Sequence, residues 1–195
     1  VIDELGEVFV HGVAIRPGHP VVLGVVDGKP AIGIPGYPVS AALTFELFVR
    51  PLVEECLCLP TTESRVLSAV MARKTVSVAG DDEFIRVRVG RVGDRVVAAP
   101  LERAAGVFMA LVRADGLVRI PRFSEGVAAG EEVEVQMFNT AGAPRDTAVA
   151  IGSHDPALDV LASEVSRRAA PLRFASTNAG SYGGLLALRR GEAHM

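Results

Sequence analysis

The chain has 195 residues, of which 49% are hydrophobic and 22% charged, a composition typical of globular and not of disordered proteins. Its formal net charge of −3 disfavours a nucleic-acid partner, because phosphate binding requires a clustered excess of Lys and Arg. No apolar run approaches the roughly 20 residues that a membrane span requires. The N-terminus carries Asp3 and Glu4 where a secretory signal would be basic. We therefore expect a cytoplasmic protein with no membrane partner.

The first segment predicts a mixed α/β unit. A strand is expected at residues 7–15, and two further strands flank the hairpin signal Asp27-Gly28. Apolar residues at helical spacing from residue 39 to about 56 predict a largely buried helix that Pro51 kinks. Because three strands and one helix bury too little to stand alone, we expect residues 1–58 to be the C-terminal half of a domain that begins upstream.

A rigid turn, Pro35-Gly36-Tyr37-Pro38, joins the last of these strands to the helix. Gly36 permits backbone angles closed to other residues, while Pro35 and Pro38 fix φ near the helical value. Pro38 suits the first helical position, and the free N–H groups after it can bind an anion. A plain strand-to-helix connector is the alternative interpretation.

A second turn, Arg16-Pro17-Gly18-His19-Pro20, carries two side chains that can be cationic. We expect it to lie near the first turn, so that cations and a helix N-terminus hold an anion from two sides. Together the two turns favour an oxyanion or phosphate pocket over two plain connectors.

Beyond residue 59 the pattern changes to short strands. Residues 83–89 (E-F-I-R-V-R-V) alternate strictly, with Phe84, Arg86 and Arg88 on one face. Several short strands separated by glycine turns predict a small β-barrel or sandwich at residues 59–139. The cysteines at 56 and 58 are expected to be buried small residues, since a lone C-x-C pair is not a zinc pattern. The acidic clusters at residues 81–83 and 131–132 are interpreted as solvated surface, so no metal ligand is predicted in this chain.

The last segment, residues 147–195, predicts two consecutive βα units, the start of a doubly wound parallel sheet. Ser153 and Ser181 follow its two strands and precede its two helices, where hydroxyls and helix N-termini can bind a tetrahedral oxyanion. A role as helix N-caps is an equally good alternative for both. His194 is a weaker candidate for the same crevice.

Two motifs of the first segment resemble a known family. H-G-V-A-I-R-P-G-H-P, followed by G-K-P-A-I-G-I-P-G-Y-P-V-S-A, is similar to the molybdopterin molybdenumtransferases (MoeA and the gephyrin E domain), which read H-x-V-x-x-K-P-G-K-P and L-P-G-N-P-V-S. In the barrel region, E-F-I-R and A-D-G-L-V-R-I-P resemble that family's E-F-x-R and A-N-G-L-x-x-L-P. The last segment resembles the periplasmic-binding-protein-like domain fused to some members.

The resemblance implies a cytoplasmic, dimeric enzyme that inserts molybdate into adenylylated molybdopterin with Mg²⁺. It assigns substrate contacts to Arg16, His19, Pro20 and Ser40, and to Arg86 supplied by the neighbouring protomer. The family's magnesium-binding carboxylates would precede Val1, so we expect this chain to be inactive alone.

Three positions depart from the family pattern: His19 replaces a lysine, Tyr37 replaces an asparagine, and Ala105-Gly106 replaces a serine found in some relatives. A histidine is charged only part of the time near neutral pH, which weakens anion capture. The alternative function is a sensor module, in which the last segment binds molybdate, tungstate or a related oxyanion and regulates the rest.

Overall fold

The first sheet carries the predicted hairpin. In the computed structural model, which describes residues 2–60, 65–101, 108–138 and 143–195, the first elements are α1 (Ile2–Leu5), β1 (Gly6–His11), β2 (Ile15–Arg16), β3 (Val22–Val26) and β4 (Lys29–Gly33). β1, β3 and β4 form an antiparallel sheet in that order. Asp27 and Gly28 both have positive φ, 50° and 71°, as the predicted two-residue hairpin requires. The expected segment boundaries, near residue 59 and between residues 139 and 147, fall partly outside the described residues.

The predicted long helix is present but irregular. It consists of α2 (Pro38–Thr44), a π-helical turn (Phe45–Val49) and α3 (Arg50–Cys56). Pro51 has no N–H to donate to the preceding turn, and the wider π turn directly before α3 accommodates it.

The expectation that this helix is largely buried was wrong beyond α2. Neither the π turn nor α3 contains a buried residue, and Val53 is 44% exposed. Cys56 and Cys58, predicted to be buried, are both exposed. The apolar spacing was real, but part of the face it defines has no partner among the described residues.

The middle segment folds as a β-barrel. Its elements are β5 (Val66–Met71), β6 (Thr75–Val76), β7 (Asp82–Val92), β8 (Arg95–Pro100), α4 (Phe108–Arg113), β9 (Gly116–Ile120), β10 (Gly126–Val127) and β11 (Glu132–Met137). The order β7-β8-β5-β11-β9 closes on itself because β7 also pairs with β9. Ile85, Val87 and Val89 fill the interior, so the predicted alternation of β7 has the correct phase. The short helix α4 was not predicted.

The last segment has the predicted β-α-β-α order. It contains β12 (Thr147–Gly152), α5 (Pro156–Arg168), β13 (Arg173–Asn178) and α6 (Gly180–Arg189), after a 3-10 turn at Pro144–Asp146. β12 and β13 are parallel and in register from Thr147 with Arg173 to Gly152 with Asn178. The fold is therefore mixed α/β and β, with a small barrel in the middle.

Two sets of contacts join these units. The last segment packs on the barrel through one apolar cluster that includes Val97 and Ala99 of β8 with Val149 and Ile151 of β12. The first segment contacts the barrel through a separate cluster, in which Ile15 and Leu43 pack against Phe84 of β7. No helix in the described part of the chain is long and apolar enough to cross a membrane.

Candidate functional site

Arg16 and His19 lie around one carboxylate that was interpreted from sequence as plain surface. Arg16 Nη2 donates to Asp81 Oδ2 at 2.9 Å, and His19 Nδ1 lies 3.9 Å from Asp81 Oδ1. The Arg16 and His19 side chains are 51% and 67% exposed, whereas that of Asp81 is 19% exposed. The two predicted anion ligands are thus brought together, with a negative charge between them.

The backbone fixes this cluster at the junction of the first unit and the barrel. β2, which ends at Arg16, pairs in parallel with the start of β7, and the Asp82 N–H donates to Ala14 O at 2.9 Å. Gly18 has a φ of 115°, and a Cβ added there would lie 3.2 Å from Thr44 Oγ1 of α2. The turn therefore packs against the side of α2 and leaves its charged groups in solvent.

The start of α2 has the features predicted for it, with one exception. Pro38 occupies the first turn, and the N-cap Tyr37 makes no side-chain capping bond. Gly36 permits backbone angles closed to other residues but does not adopt them, because it has no positive φ. A Cβ added at Gly36 would meet no atom within 4 Å. The missing side chain instead leaves open space above the turn.

The structure does not bring all the predicted ligands into contact. Ser40 is 5% exposed and belongs to the buried side of α2. No hydrogen bond or ion pair between described residues joins Arg16 or His19 to Ser40. Pro20 is exposed at the end of its turn, and Pro35 is half-buried. The cationic turn reaches α2 at Thr44 and not at its first residue.

Arg86 lies in a separate cavity of about 500 Å³ between the helix and the barrel. Its side chain is 5% exposed, and burial lowers the pKa of the guanidinium below its ordinary value. Arg50 and Pro17 line the same cavity, and Arg50 pairs with Glu46 at 2.7 Å. Pro17 is the link between this cavity and the cationic turn.

Ser153 and Ser181 lie at one edge of the parallel pair of strands, although Ser181 is the second residue of α6 and does not precede it. Their Oγ atoms are 2.8 Å apart, at the edge where β12 and β13 end. Neither caps a helix: Asp155 caps α5 by accepting from the Ala157 N–H at 2.8 Å, and the N-cap of α6, Ala179, makes no side-chain bond. The N-cap interpretation of the two serines was therefore wrong.

His194 does not take part in that edge. Its Nδ1 accepts a hydrogen bond from the Val149 N–H at 3.0 Å, which fixes the last residues beside β12. The suggested position in the crevice was wrong, because this ring nitrogen has a structural partner. The family position at Ala105-Gly106 lies outside the described residues.

The acidic clusters offer no metal site in the part of the chain that the structure describes. No group of three or more His, Cys, Asp or Glu side chains is placed to hold an ion there. Asp82 is engaged by the Arg122 N–H at 2.9 Å and by Arg119 Nη2 at 2.7 Å. Although burial raises the pKa of Asp82, these bonds outweigh it and hold the pKa below 3.8. The described residues thus do not fit Mg²⁺.

Asp81 is the site residue that the sequence did not indicate. It lies 65 positions from Arg16, and the only available signal was its place directly before the strongly alternating strand. Fold and geometry together define the class of protein: an α/β unit joined to a five-stranded barrel, with a cationic turn at the junction that contacts α2 at Thr44.

Comparison with known proteins identifies relatives of the barrel. Residues 68–138, which span the barrel from β5 to β11, match the family model of the MoeA C-terminal region (domain IV). This stretch of the chain is therefore similar to the MoeA C-terminal region.

Curated relatives agree over a longer stretch. A molybdopterin biosynthesis protein of Methanocaldococcus jannaschii is 34% identical over 138 residues, 70% of this chain and 31% of its own length. Molybdopterin molybdenumtransferase 1 of Mycobacterium tuberculosis is 35% identical over 151 residues, 73% of this chain and 35% of its own length. The chain thus spans about a third of the length of these relatives.

Solved structures of molybdopterin and molybdenum cofactor biosynthesis proteins are also similar to this chain. A molybdopterin biosynthesis MoeA protein from Pyrococcus horikoshii is 40% identical, with a TM-score of 0.59 over 71% of this chain and 34% of its own. A molybdenum cofactor biosynthesis protein from Pyrococcus furiosus is 26% identical, with a TM-score of 0.56 over 68% of this chain and 46% of its own. The similarity therefore extends to three-dimensional structure.

Proposed function

We propose that this chain is part of a molybdopterin molybdenumtransferase, which inserts molybdate into adenylylated molybdopterin and releases AMP. The observation that carries the proposal is the Arg16–His19 turn, fixed by β2 to the barrel and packed on α2. The names of the relatives supply the reaction class.

In this proposal the described residues attract the oxyanion by their charge and hold it in position. Arg16 and His19 attract the oxyanion, and the N–H groups after Pro38 offer it hydrogen-bond donors in the space that Gly36 leaves open. Such chemistry needs no covalent nucleophile from the protein, since neutralising and orienting the reacting groups lowers the barrier. The carboxylate of Asp81 opposes this attraction, so an anion competes with it for Arg16.

The wider organisation is part of the same proposal. We propose residues 1–58, 59–139 and 147–195 as three domains, the last resembling a periplasmic binding protein, in a cytoplasmic homodimer whose partner supplies Arg86. A requirement of the whole enzyme for Mg²⁺ also belongs to the proposal, although no step above uses the metal.

Titration calorimetry with molybdate at low ionic strength tests the site. Arg16→Gln with His19→Gln is expected to weaken binding about tenfold or more, because charge-assisted hydrogen bonds contribute about 1.5–3 kcal/mol each. Arg189→Gln removes the same charge from an exposed position on α6 and is expected to leave binding unchanged. Equal losses in both variants would contradict the proposal.

Asp81→Asn tests the same site through a substitution that is expected to strengthen molybdate binding. Removing the carboxylate frees Arg16 and is expected to tighten molybdate binding several-fold while changing stability by less than about 1 kcal/mol. Asp94→Asn, in the exposed turn between β7 and β8, is the matched control. An unchanged affinity in Asp81→Asn would show that Arg16 does not bind the anion.

The sensor function is kept as a second candidate because Ser153 Oγ and Ser181 Oγ are 2.8 Å apart. The same titration distinguishes the transferase function from the sensor function. Loss of molybdate binding in Ser153→Ala with Ser181→Ala, but not in the Arg16 variant, would favour the sensor.

A further inference from the structure

A second cavity lies between the barrel and the last segment, away from Arg16 and His19. Its volume is about 650 Å³. One wall is formed by the end of β8 and by α4, and the other by the ends of β12 and β13, including Ser153, Thr177 and Asn178. In α/β proteins, ligands bind at the carboxyl ends of parallel strands, which is the edge that this cavity occupies.

The described lining of this cavity is positively charged. Arg73, Arg88 and Arg113 contribute guanidinium groups. Asp159, the one carboxylate side chain among the described lining residues, pairs with Arg113 at 3.8 Å, so two arginine charges are left in excess. Arg88 connects the two walls, because it donates to Arg113 O at 3.1 Å and to Phe174 O at 3.0 Å. The two carbonyls hold the Arg88 guanidinium in place. Burial lowers the pKa of Arg88, but an arginine side chain starts from so high a value that it keeps its charge.

Side chains with hydroxyl groups, including Ser153 and Thr177, belong to the other wall. Ser153 Oγ contacts Oγ of Ser181 at the edge of the cavity, and neither serine caps a helix. Thr177 is 6% exposed, and its Oγ1 has no hydrogen-bond partner among the described residues. A buried hydroxyl without a partner carries an uncompensated desolvation cost, which a polar ligand group could remove after a small rotation of the side chain.

The size and the apolar walls determine the class of ligand. A volume of about 650 Å³ is within the range of small-molecule sites. A tetrahedral oxyanion needs only the space of a few waters, about 30 Å³ each, and would leave Leu101, Leu158 and Ala162 uncovered. We propose that this cleft binds a small organic anion, with a phosphate or carboxylate group toward the arginines and an apolar body against these three side chains.

Phenyl phosphate and inorganic phosphate, titrated separately into the full chain and followed by calorimetry and amide NMR, test the proposal. Phenyl phosphate is expected to bind at least tenfold tighter and to shift the amide signals of Ser153, Thr177 and Phe174. Equal affinity of the two probes, shifts confined to the Arg16 turn, or no saturation by about 10 mM would overturn it.

Two pairs of variants give the matched controls. Ala162→Phe fills the cavity from α5, whereas Ala157→Phe places the same ring on an exposed position of that helix. Arg113→Gln removes a lining charge, whereas Arg189→Gln removes an exposed one. Both lining variants are expected to weaken phenyl phosphate binding at least tenfold with molybdate binding unchanged. Equal effects in lining and control variants would overturn the proposal independently of the molybdate site.

Discussion

At the level of single residues, two glycines in similar turns differ in whether their backbone conformation requires glycine. Gly28 has a φ of 71° in the hairpin, while Gly36 has no positive φ. An added Cβ would meet no atom within 4 Å at either position. Backbone conformation therefore explains Gly28 but not Gly36.

The substitutions Gly28→Ala and Gly36→Ala separate these roles. Gly28→Ala is expected to lower the free energy of unfolding by about 1 kcal/mol or more, because alanine disfavours positive φ. Gly36→Ala is expected to leave stability unchanged or raise it by up to about 1 kcal/mol, and to weaken molybdate binding, since its methyl group enters the anion space. Urea unfolding and calorimetry measure the two effects. A Gly36→Ala protein with unaltered affinity would remove Gly36 from the site.

The sequence predicted Arg16 and His19 correctly as neighbours because they share one rigid turn. It did not predict Asp81 as their partner, since that contact depends on how β2 docks on β7. Residue types and their spacing predict contacts within one turn. An ion pair between residues 65 positions apart can be identified only from the three-dimensional structure.

At the scale of elements, the start of β7 depends on the charge of Asp82. Its pKa is lowered in the folded protein by Arg122 and Arg119 against the effect of burial. A carboxyl group with a lowered pKa stabilises the fold above its unfolded pKa and loses that contribution as the pH falls through the folded value.

Acid unfolding measures this contribution. Stability is expected to decrease as the pH falls from just above 3.8, with a contribution from Asp82 of about 1 kcal/mol or less. Asp82→Asn should show a shallower decrease over that interval than wild type, and Asp94→Asn should follow wild type. Parallel pH profiles for Asp82→Asn and wild type would show that the pairing does not stabilise β7.

Elements with strong periodicity were predicted well. The alternation around Arg86 gave the correct faces of β7, and the Asp27-Gly28 turn gave the first hairpin. The six-residue helix α4 was missed because it is too short to show a helical period. The π turn before Pro51 was not predictable either, since a kink can be accommodated in several ways.

At the scale of the whole molecule, the last segment docks on the barrel by a close approach of two backbones. A Cβ added at Gly90 of β7 would overlap Val149 Cγ2 of β12. Asp115 of the barrel accepts from the Val89 N–H at 2.8 Å and also pairs with Arg173 of β13. The glycine and the buried ion pair together fix the position of the last segment.

A double-mutant cycle tests this docking. Gly90→Ala is expected to destabilise the chain by about 1–3 kcal/mol through overpacking. In the Val149→Ala background the cost should shrink, because the clashing methyl is gone, giving a coupling energy of at least about 1 kcal/mol in urea unfolding. Gly152→Ala, where an added Cβ meets nothing, is the control and should be additive with Val149→Ala. Additivity of Gly90→Ala would contradict the close approach.

The closure of the barrel and the docking of the last segment on it could not be predicted from the sequence alone. Period and turn signals predicted the strands, but β7 also pairs with β9, which lies more than 20 residues away, and that pairing has no local signature. The same holds for the cavity between the barrel and the last segment, since its walls come from separate segments.

We propose that the Arg16–His19 turn binds an oxyanion. Crystals of the chain soaked in tungstate, a tetrahedral analogue of molybdate, test this binding most directly through the anomalous scattering of tungsten. A peak is expected within hydrogen-bonding reach of Arg16 and the N–H groups after Pro38, and it should be absent in Arg16→Gln. A peak only beside Ser153 and Ser181, or an unchanged peak in Arg16→Gln, would contradict it.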